Sequence, residues 1–482
     1  MLTAPRGRRG WTALVVTLLA LGALVAAPSQ AQDSRPDSAP GSSVPESVVA
    51  AQAAVRPRPV TSLDPVGIPV QRGLAPDSAA LRAAVREEWA SRWLGAPSTR
   101  SMTVRDVTTG EHLMNLRADD PLTPASTVKL LTAAAVMSAL DPASTFPTTV
   151  VAGNRPGDLV LVAGGDLLLS PGRGNPETVV GRAGLADLAA QTKAALADSS
   201  RSGPVRLLLD TRYAAGSDVA PGWTDFWVAN GYAGRVTMLG LAQDRALPGA
   251  PSPADPPQVA AQAFAEALRR AGVPVTSGPV KRTESTDTAG AQVLGRVESA
   301  PLRDVLSLAL ATSDNAMVEQ LARQAAVRDG VGSGQGVVNS WVLERLEQDY
   351  GIDTRGARLA DTSGLSDGSA VPVRVVADTL VAGAQGRHPA YQSVLGGLPI
   401  AGYTGTLDDR FVQDRAAAGV GVVRAKTGSL PQVSALAGTI VTRDDRLLVF
   451  AVTAGGLGPD GAVLEARADL DALVADLAAC GC

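Results

Sequence analysis

Apolar residues recur along this chain with two different spacings, one typical of helices and one typical of strands. The clearest helical spacing has apolar residues at 130, 131, 134, 137 and 140, which predicts a helix over 127–140. Pro124 lies just upstream, so Ser126 is expected at the start of this helix. Further helices are predicted at 77–93, at 258–271, as a pair within 301–327, and at 464–479.

Shorter runs rich in β-branched residues predict strands. Residues 101–107 and 111–116 flank a Thr109-Gly110 turn, a pattern that predicts a β-hairpin. The last predicted pair of strands is joined by the charged turn at 443–446. Further strands are predicted at 159–162, 205–210, 419–425, 435–442 and 447–453. Together these segments indicate a chain that contains both helices and strands.

The first 31 residues have the pattern of an export signal. Three arginines among the first nine residues precede an uncharged apolar run at 11–27, and residues 29–31 form a small-x-small site. We therefore expect cleavage after Ala31 and an extracytoplasmic protein; an uncleaved signal anchor, the one expected membrane contact, stays open. Residues 32–76 are rich in Pro, Ser, Asp and Ala, which predicts a disordered linker.

Composition excludes some classes of function. The chain has 482 residues, which suggests two or three domains. Its net charge of −4, without a long basic block, gives no support to nucleic-acid binding. Cys480 and Cys482 are the only cysteines, so no internal disulfide framework is expected. We interpret the Cys-Gly-Cys end as an incidental tail, with metal binding or a strained pair as alternatives.

Three short motifs carry the candidate chemistry. Ser126-Thr127-Val128-Lys129, Ser313-Asp314-Asn315 and Lys426-Thr427-Gly428 read S-x-x-K, S-D-N and K-T-G in chain order. This is the set used by serine acyl-enzymes of the penicillin-binding and β-lactamase type. Each motif alone recurs by chance, as a helix cap or a turn. The ordered trio is much more specific.

The first motif predicts a serine nucleophile with a lysine base. A serine hydroxyl needs a base to take its proton, and Lys129 lies one helical turn from Ser126. Burial and a neighbouring cation such as Lys426 would lower the pKa of Lys129. The two histidines, His112 and His388, lie in no serine-hydrolase context, so a Ser-His-Asp triad is not expected.

The second motif predicts the opposite wall of the site. Ser313 could relay a proton between Lys129 and the leaving nitrogen. Asn315 could donate to an amide carbonyl of the substrate, and Asp314 is expected to be structural. Because Glu319 follows soon after, an ordinary helix cap is the alternative interpretation of this motif alone.

The third motif predicts a site for a substrate carboxylate. Lys426, at the end of a strand, would supply positive charge and Thr427 a hydroxyl. Gly428 would let the substrate backbone approach the strand closely. The backbone N–H groups of Ser126 and Ser429 would then form an oxyanion hole. None of these groups requires a metal or a cofactor, and we expect none.

With these motifs the sequence resembles the D-alanyl-D-alanine carboxypeptidase/endopeptidase family, the low-molecular-mass penicillin-binding proteins with inserted domains. The resemblance covers about residues 85–457 and depends on the sequence around each motif. In the inserted region, the family's usual G-G-D-P is Gly164-Gly165-Asp166-Leu167 here. The segments that carry the resemblance are 124–132, 299–302, 311–315, 319–321, 361–366, 398–402, 405–407 with Arg410, and 424–430.

The resemblance implies an α/β (α+β) fold: a β-lactamase/transpeptidase-like domain with an antiparallel sheet flanked by helices. It implies a discontinuous catalytic domain at 77–145 and 298–479, and one or two inserted subdomains at 146–297, a segment called the insert below. The implied substrates are peptidoglycan stem peptides ending in D-Ala-D-Ala. Ser126 would release D-Ala through an acyl-enzyme, cut D-centre cross-links by the same chemistry, and be trapped covalently by β-lactam antibiotics.

Two alternative functions stay open. A serine β-lactamase of the same superfamily would need a built-in deacylating base, such as a Tyr in the second motif or a positioned Glu; here the second motif starts with Ser313. A catalytically inert wall-associated scaffold would have no need to keep Ser126 and Lys129 together.

Overall fold

Strands that precede and follow the insert in the sequence meet in one sheet, and strands within the insert form a second sheet. The computed structural model describes residues 73–198, 203–283, 290–458 and 462–482. The predicted export signal and nearly all of the predicted linker therefore lie outside the described residues. Within the described ranges, no helix is both long and apolar enough to span a bilayer.

A helix overlaps every segment for which the sequence predicts one, and further helices were not predicted. In chain order they are α1 (Ser78–Ala84), α2 (Arg86–Trp89), α3 (Val128–Ala139), α4 (Leu185–Asp198), α5 (Asp225–Ala229), α6 (Pro256–Arg270), α7 (Leu302–Thr312), α8 (Asn315–Arg328), α9 (Gln335–Tyr350), α10 (Val373–Ala384), α11 (Pro389–Leu395) and α12 (Ala462–Ala479).

A strand overlaps every segment for which the sequence predicts one, and the described residues also contain strands that were not predicted, two of them six residues long. They are β1 (Arg100–Asp106), β2 (His112–Leu116), β3 (Pro121–Leu122), β4 (Pro147–Ala152), β5 (Asp158–Ala163), β6 (Asp166–Leu169), β7 (Arg206–Asp210), β8 (Leu239–Leu241), β9 (Lys281–Arg282), β10 (Val293–Glu298), β11 (Val371–Pro372), β12 (Val423–Leu430), β13 (Val433–Val441) and β14 (Leu447–Gly455).

The first sheet has the order β12-β13-β14-β1-β2 and is antiparallel throughout. Because neighbouring strand residues point to opposite faces, the sheet contributes to two hydrophobic cores. Leu436 and Ile440 of β13 pack in the core that contains α12. Ala437, between them, faces the core that contains α3 and α10. The sheet is thus flanked by helices on both sides.

Helix α3 lies in the centre of the helical core. It contacts α7, α8, α9, α10 and α11, and most of its side chains are buried. Two tyrosine hydroxyls fix it further: Tyr350 donates to the Ala134 carbonyl at 2.8 Å and Tyr391 to the Leu130 carbonyl at 3.1 Å. A helix buried on all sides is held rigidly, and the residues at its N-terminus gain fixed positions.

The second sheet has the order β10-β4-β5-β7-β9 and consists of strands between Pro147 and Glu298. Its β5–β7 and β7–β9 pairs are parallel, and the other two pairs are antiparallel. Helices α4 and α6 cover it and share a separate hydrophobic core with it. The proposed division into a catalytic domain and an insert remains a prediction from the sequence.

Three local expectations need correction. The predicted helix at 77–93 breaks at Val85, whose ψ of 6° leaves the helical range and separates α1 from α2. The predicted strand at 419–425 begins only at Val423, because a 3₁₀ helix occupies Asp414–Gly419 and a turn follows at 420–422. The interpretation of the C-terminus as an incidental tail is wrong: Cys480 and Cys482 form a disulfide, and the Cys482 carbonyl accepts a hydrogen bond from the Asp77 N–H at 2.7 Å.

Candidate active site

Ser126 lies on a tight turn directly before α3. Residues Ala125–Thr127 form one 3₁₀ turn, and Ala125 has the unusual φ of 47°. Gly364 packs against this turn with a φ of 79°; a Cβ at that position would overlap the Ala125 carbonyl and lie 3.2 Å from Ser126 N. Only glycine tolerates both the backbone angle and the contact, so Gly364 holds the serine turn in place.

Lys129 is fully buried one turn below Ser126. Its ammonium donates to Ser126 Oγ at 2.8 Å, to Asn315 Oδ1 at 2.5 Å and to the Ser363 carbonyl at 2.7 Å. None of these three acceptors is a carboxylate. Burial lowers the pKa of Lys129 to about 8, although the charges of Asp361, Glu319 and Asp314 oppose this shift. A lysine with such a pKa is partly neutral near pH 8 and can accept the Ser126 proton.

The second motif joins α7 to α8 and faces Lys129. Ser313 directly follows α7 as its C-cap and has the left-handed conformation, with a φ of 57°. Asp314 caps α8 by accepting from Met317 N at 2.9 Å, which agrees with the structural role predicted for it. Asn315 bonds Lys129 through Oδ1 and donates from Nδ2 to the Tyr232 carbonyl at 2.7 Å. In the described part of the chain, the Ser313 hydroxyl has no hydrogen-bond partner and remains free for the predicted relay.

The third motif occupies the middle of β12, not the end of a strand as predicted. The strand continues past it because β12 pairs with β13 without a break from Val423 to Leu430. Lys426 is fully buried and donates to the Thr427 carbonyl at 2.8 Å. Burial and then the charge of Lys129 lower the pKa of Lys426 well below its ordinary value. The Thr427 hydroxyl donates to the Thr406 hydroxyl at 2.9 Å.

Gly428 and Ser429 connect β12 to other parts of the site. A Cβ at Gly428 would lie 3.0 Å from the Pro124 carbonyl and 3.1 Å from Ala125 Cβ. In this structure Gly428 therefore allows β12 to pack closely against the turn that carries Ser126, whereas the sequence predicted that it would admit the substrate backbone. Ser429 accepts from Arg467 of α12, with Nη2 at 2.9 Å and Nε at 3.2 Å, and this contact was not predicted from the sequence.

Two buried carboxyl groups beneath Lys129 were also missed as site residues. Asp361 accepts from the backbone N–H of Gly364 at 2.6 Å and from Trp223 Nε1 at 2.8 Å. Glu319 accepts from Thr362 N at 2.8 Å. Burial, followed by the charge of Asp361, raises the pKa of Glu319 to about 7. Both residues lie in segments that carried the family resemblance, but their spacing alone gave them no role.

The structure therefore brings Ser126, Lys129 and Asn315 into direct contact, and the charge of Lys129 is close enough to lower the pKa of Lys426. The predicted effect in the other direction is not found, because burial alone lowers the pKa of Lys129. The contacts of the two histidines involve none of these site residues. His112 contacts the Asn115 amide at 3.1 Å, and the ring of His388 packs 4.3 Å from that of Tyr350.

The chain matches a family model described as the D-Ala-D-Ala carboxypeptidase 3 (S13) family over residues 95–248 and 240–477. It is 35% identical to Carboxypeptidase Rv3627c of Mycobacterium tuberculosis over 433 residues, which is 88% of this chain and 89% of that protein. It is also 35% identical to Carboxypeptidase DacB of Mycolicibacterium smegmatis over 441 residues, 90% and 91% of the two chains.

Among solved structures, the chain is similar to penicillin binding protein 4 (dacB) from Haemophilus influenzae. The TM-score is 0.66 at 20% identity, and the match covers 81% of this chain and 98% of that one. At this identity the similarity concerns the fold alone. It confirms the predicted fold class, a mixed domain with an antiparallel sheet flanked by helices.

Proposed function

The chain belongs to the D-Ala-D-Ala carboxypeptidase 3 (S13) family and is a serine-type D-Ala-D-Ala carboxypeptidase, and from this premise we propose a mechanism. Ser126 removes the terminal D-Ala from peptidoglycan stem peptides through an acyl-enzyme. The observation that carries the proposal is the 2.8 Å contact between Ser126 Oγ and the fully buried Lys129 ammonium.

Acylation begins with proton transfer. Neutral Lys129 accepts the Ser126 proton as Oγ attacks the carbonyl carbon of the penultimate D-Ala. The backbone N–H groups of Ser126 and Ser429 stabilise the oxyanion of the tetrahedral intermediate. The C–N bond then breaks, and the proton passes from Lys129 through the Ser313 hydroxyl to the leaving amine. Water hydrolyses the resulting ester and regenerates Ser126.

The third motif recognises the substrate carboxylate. Burial and the charge of Lys129 lower the pKa of Lys426 well below its ordinary value. The terminal carboxylate of the substrate brings a negative charge, which raises the pKa of Lys426 and creates an ion pair with it. Thr427 donates the second hydrogen bond. Substrates without this carboxylate would leave Lys426 buried without a counter-charge.

Two further activities follow from the same chemistry. A cross-link whose scissile bond follows a D-centre presents the same carbonyl to Ser126, so the enzyme also acts as an endopeptidase. A β-lactam ring resembles the D-Ala-D-Ala end and acylates Ser126; one Haemophilus influenzae penicillin binding protein 4 structure, with a TM-score of 0.60, was solved in complex with a β-lactam. Both activities, like export to the cell-wall space, are part of this proposal.

A peptide assay tests the proposal. The protein is incubated with a soluble pentapeptide ending in D-Ala-D-Ala, and free D-Ala is measured. Ser126→Ala should abolish release. Ser138→Ala, which removes another helix-associated hydroxyl that bonds the Ala135 carbonyl, should leave release unchanged. Release that persists in Ser126→Ala, or its absence from the wild type, would contradict the proposal.

A further inference from the structure

One stretch of the insert reaches the active site at three points. Trp223 Nε1 donates to Asp361 Oδ2 at 2.8 Å, the Tyr232 carbonyl accepts from Asn315 Nδ2 at 2.7 Å, and Arg245 Nη2 bonds Asp314 Oδ2 at 2.7 Å. Residues 223–245 are called the insert arm here. Each contact ends on a residue of the site. Asn315 bonds to Lys129, Asp314 caps α8, and the charge of Asp361 raises the pKa of Lys129.

We infer that the insert arm completes the catalytic site, with Arg245 as a positioning residue for the second motif. This inference deepens the proposed function and rests on it. Arg245 would act through Asp314 and Asn315, without contacting the substrate.

The Arg245 contact joins the two helices that flank Ser313. Its Nε and Nη2 donate to Asp314 Oδ2 at 3.0 and 2.7 Å, and Nη2 reaches Thr312 Oγ1 at 3.3 Å. The side chains of Arg245 and Asp314 are only 16% and 13% exposed, so water screens the pair weakly. Thr312 ends α7 and Asp314 caps α8, so one guanidinium fixes both sides of the left-handed turn at Ser313.

The Tyr232 carbonyl fixes the orientation of the Asn315 amide. A carbonyl oxygen can only accept, so the NH₂ group of Asn315 must face the insert arm. Its Oδ1 then faces Lys129, where it accepts at 2.5 Å. If the arm moved away, the amide could rotate and present NH₂ to the lysine that must take the Ser126 proton. The arm thereby sets the geometry of proton transfer.

The competing explanation is that Arg245 only helps to dock the insert. A matched ion pair separates the two explanations, because Arg206 and Asp158 form a similar contact inside the second sheet. Arg206 Nε donates to Asp158 Oδ1 at 2.8 Å, and Asp158 is 8% exposed. Residues of the second motif do not take part in that contact. Loss of either arginine leaves a mostly buried aspartate without its counter-charge, and both losses should reduce stability.

The experiment measures acylation of the full chain by benzylpenicillin in rapid mixing, which separates the binding constant K from the acylation rate constant k2. Arg245→Gln should lower k2 by about 100-fold, the effect of a misplacement of about 1 Å, with K changed by less than about threefold. Arg245→Lys, which keeps the charge and loses the second N–H, should fall between Arg245→Gln and the wild type. Arg206→Gln should leave k2 unchanged while its thermal midpoint falls.

The outcomes separate three conclusions. A k2 for Arg245→Gln equal to that of Arg206→Gln would overturn the positioning role and leave a docking contact. If Arg245→Gln does not fold, Arg245→Lys against Arg206→Lys decides in the same way, since unequal k2 values support positioning and equal ones refute it. A wild type that forms no adduct on Ser126 would instead contradict the proposed function.

Discussion

The substitution Asp361→Asn tests the buried support of the site in two independent ways. Asp361 is fully buried, and its Oδ1 accepts from the N–H groups of Ser363 and Gly364 at 3.1 and 2.6 Å. Its Oδ2 accepts from Trp223 Nε1 and Ser366 N, both at 2.8 Å. Whichever oxygen becomes the amide NH₂, two buried N–H donors will face another donor instead of an acceptor.

The expected loss of stability follows from that count. Each buried donor left without an acceptor costs about 1–3 kcal/mol, so two cost about 4 kcal/mol. Removal of the buried negative charge offsets part of this, which leaves a net loss of about 2–4 kcal/mol in the free energy of unfolding. Urea unfolding followed by circular dichroism measures it. Asp353→Asn removes a solvent-exposed partner of Arg355 and is the control; it should lower the free energy of unfolding far less than Asp361→Asn does.

The same substitution should change the pH dependence of acylation. The negative charge of Asp361 raises the pKa of Lys129, against the larger effect of burial. Without that charge the pKa of Lys129 falls below about 8, and the neutral form persists to lower pH. The acid limb of k2 against pH should therefore move to lower pH than in the wild type. A free energy of unfolding equal to that of Asp353→Asn would refute this reasoning. So would an acid limb of k2 that stays in place or moves to higher pH.

Two further predictions concern Glu319 and Gly428. Burial raises the pKa of Glu319 from 4.5 to about 7. Between these pH values the folded state keeps a proton that the unfolded state has released. The free energy of unfolding should therefore fall by up to about 3 kcal/mol as the pH rises from 4.5 to 7. Glu319→Gln should flatten urea-derived stability between pH 4.5 and 7, and an unchanged slope would contradict this. Gly428→Ala would place a Cβ 3.0 Å from the Pro124 carbonyl, displace the Ser126 turn and slow acylation by about 10- to 100-fold. Gly336→Ala is the control, because a Cβ there meets open space and acylation should be unchanged. Equal acylation rates in the two variants would show that β12 does not position the Ser126 turn.

Local sequence patterns predicted the elements that carry the nucleophile and its base. The helical spacing after Pro124 located α3, and the interval of three residues brought Lys129 beneath Ser126. The three motifs predicted that the second motif faces Lys129, but the direct contact, across 186 residues of sequence, is made by Asn315 and not by Ser313. These successes depend on chemistry that requires particular residue types at a fixed spacing.

Tertiary burial explains what the sequence left undetermined. Sequence patterns assigned Asp361 and Glu319 no place in the site, and only their burial and their hydrogen bonds to Trp223, Gly364 and Thr362 reveal it. The contacts of Arg245 and the Tyr232 carbonyl cross 69 and 83 residues of sequence. A backbone carbonyl has no residue type, so no motif could have indicated its role.

The most direct test of the central claim is intact-mass spectrometry of the protein after incubation with benzylpenicillin, beside Ser126→Ala. The account predicts one stable adduct per chain that maps to Ser126 and is absent from the variant. Rapid drug loss without an adduct would indicate a β-lactamase. Neither adduct nor drug loss, or an adduct that survives Ser126→Ala, would contradict an acyl-enzyme on this serine.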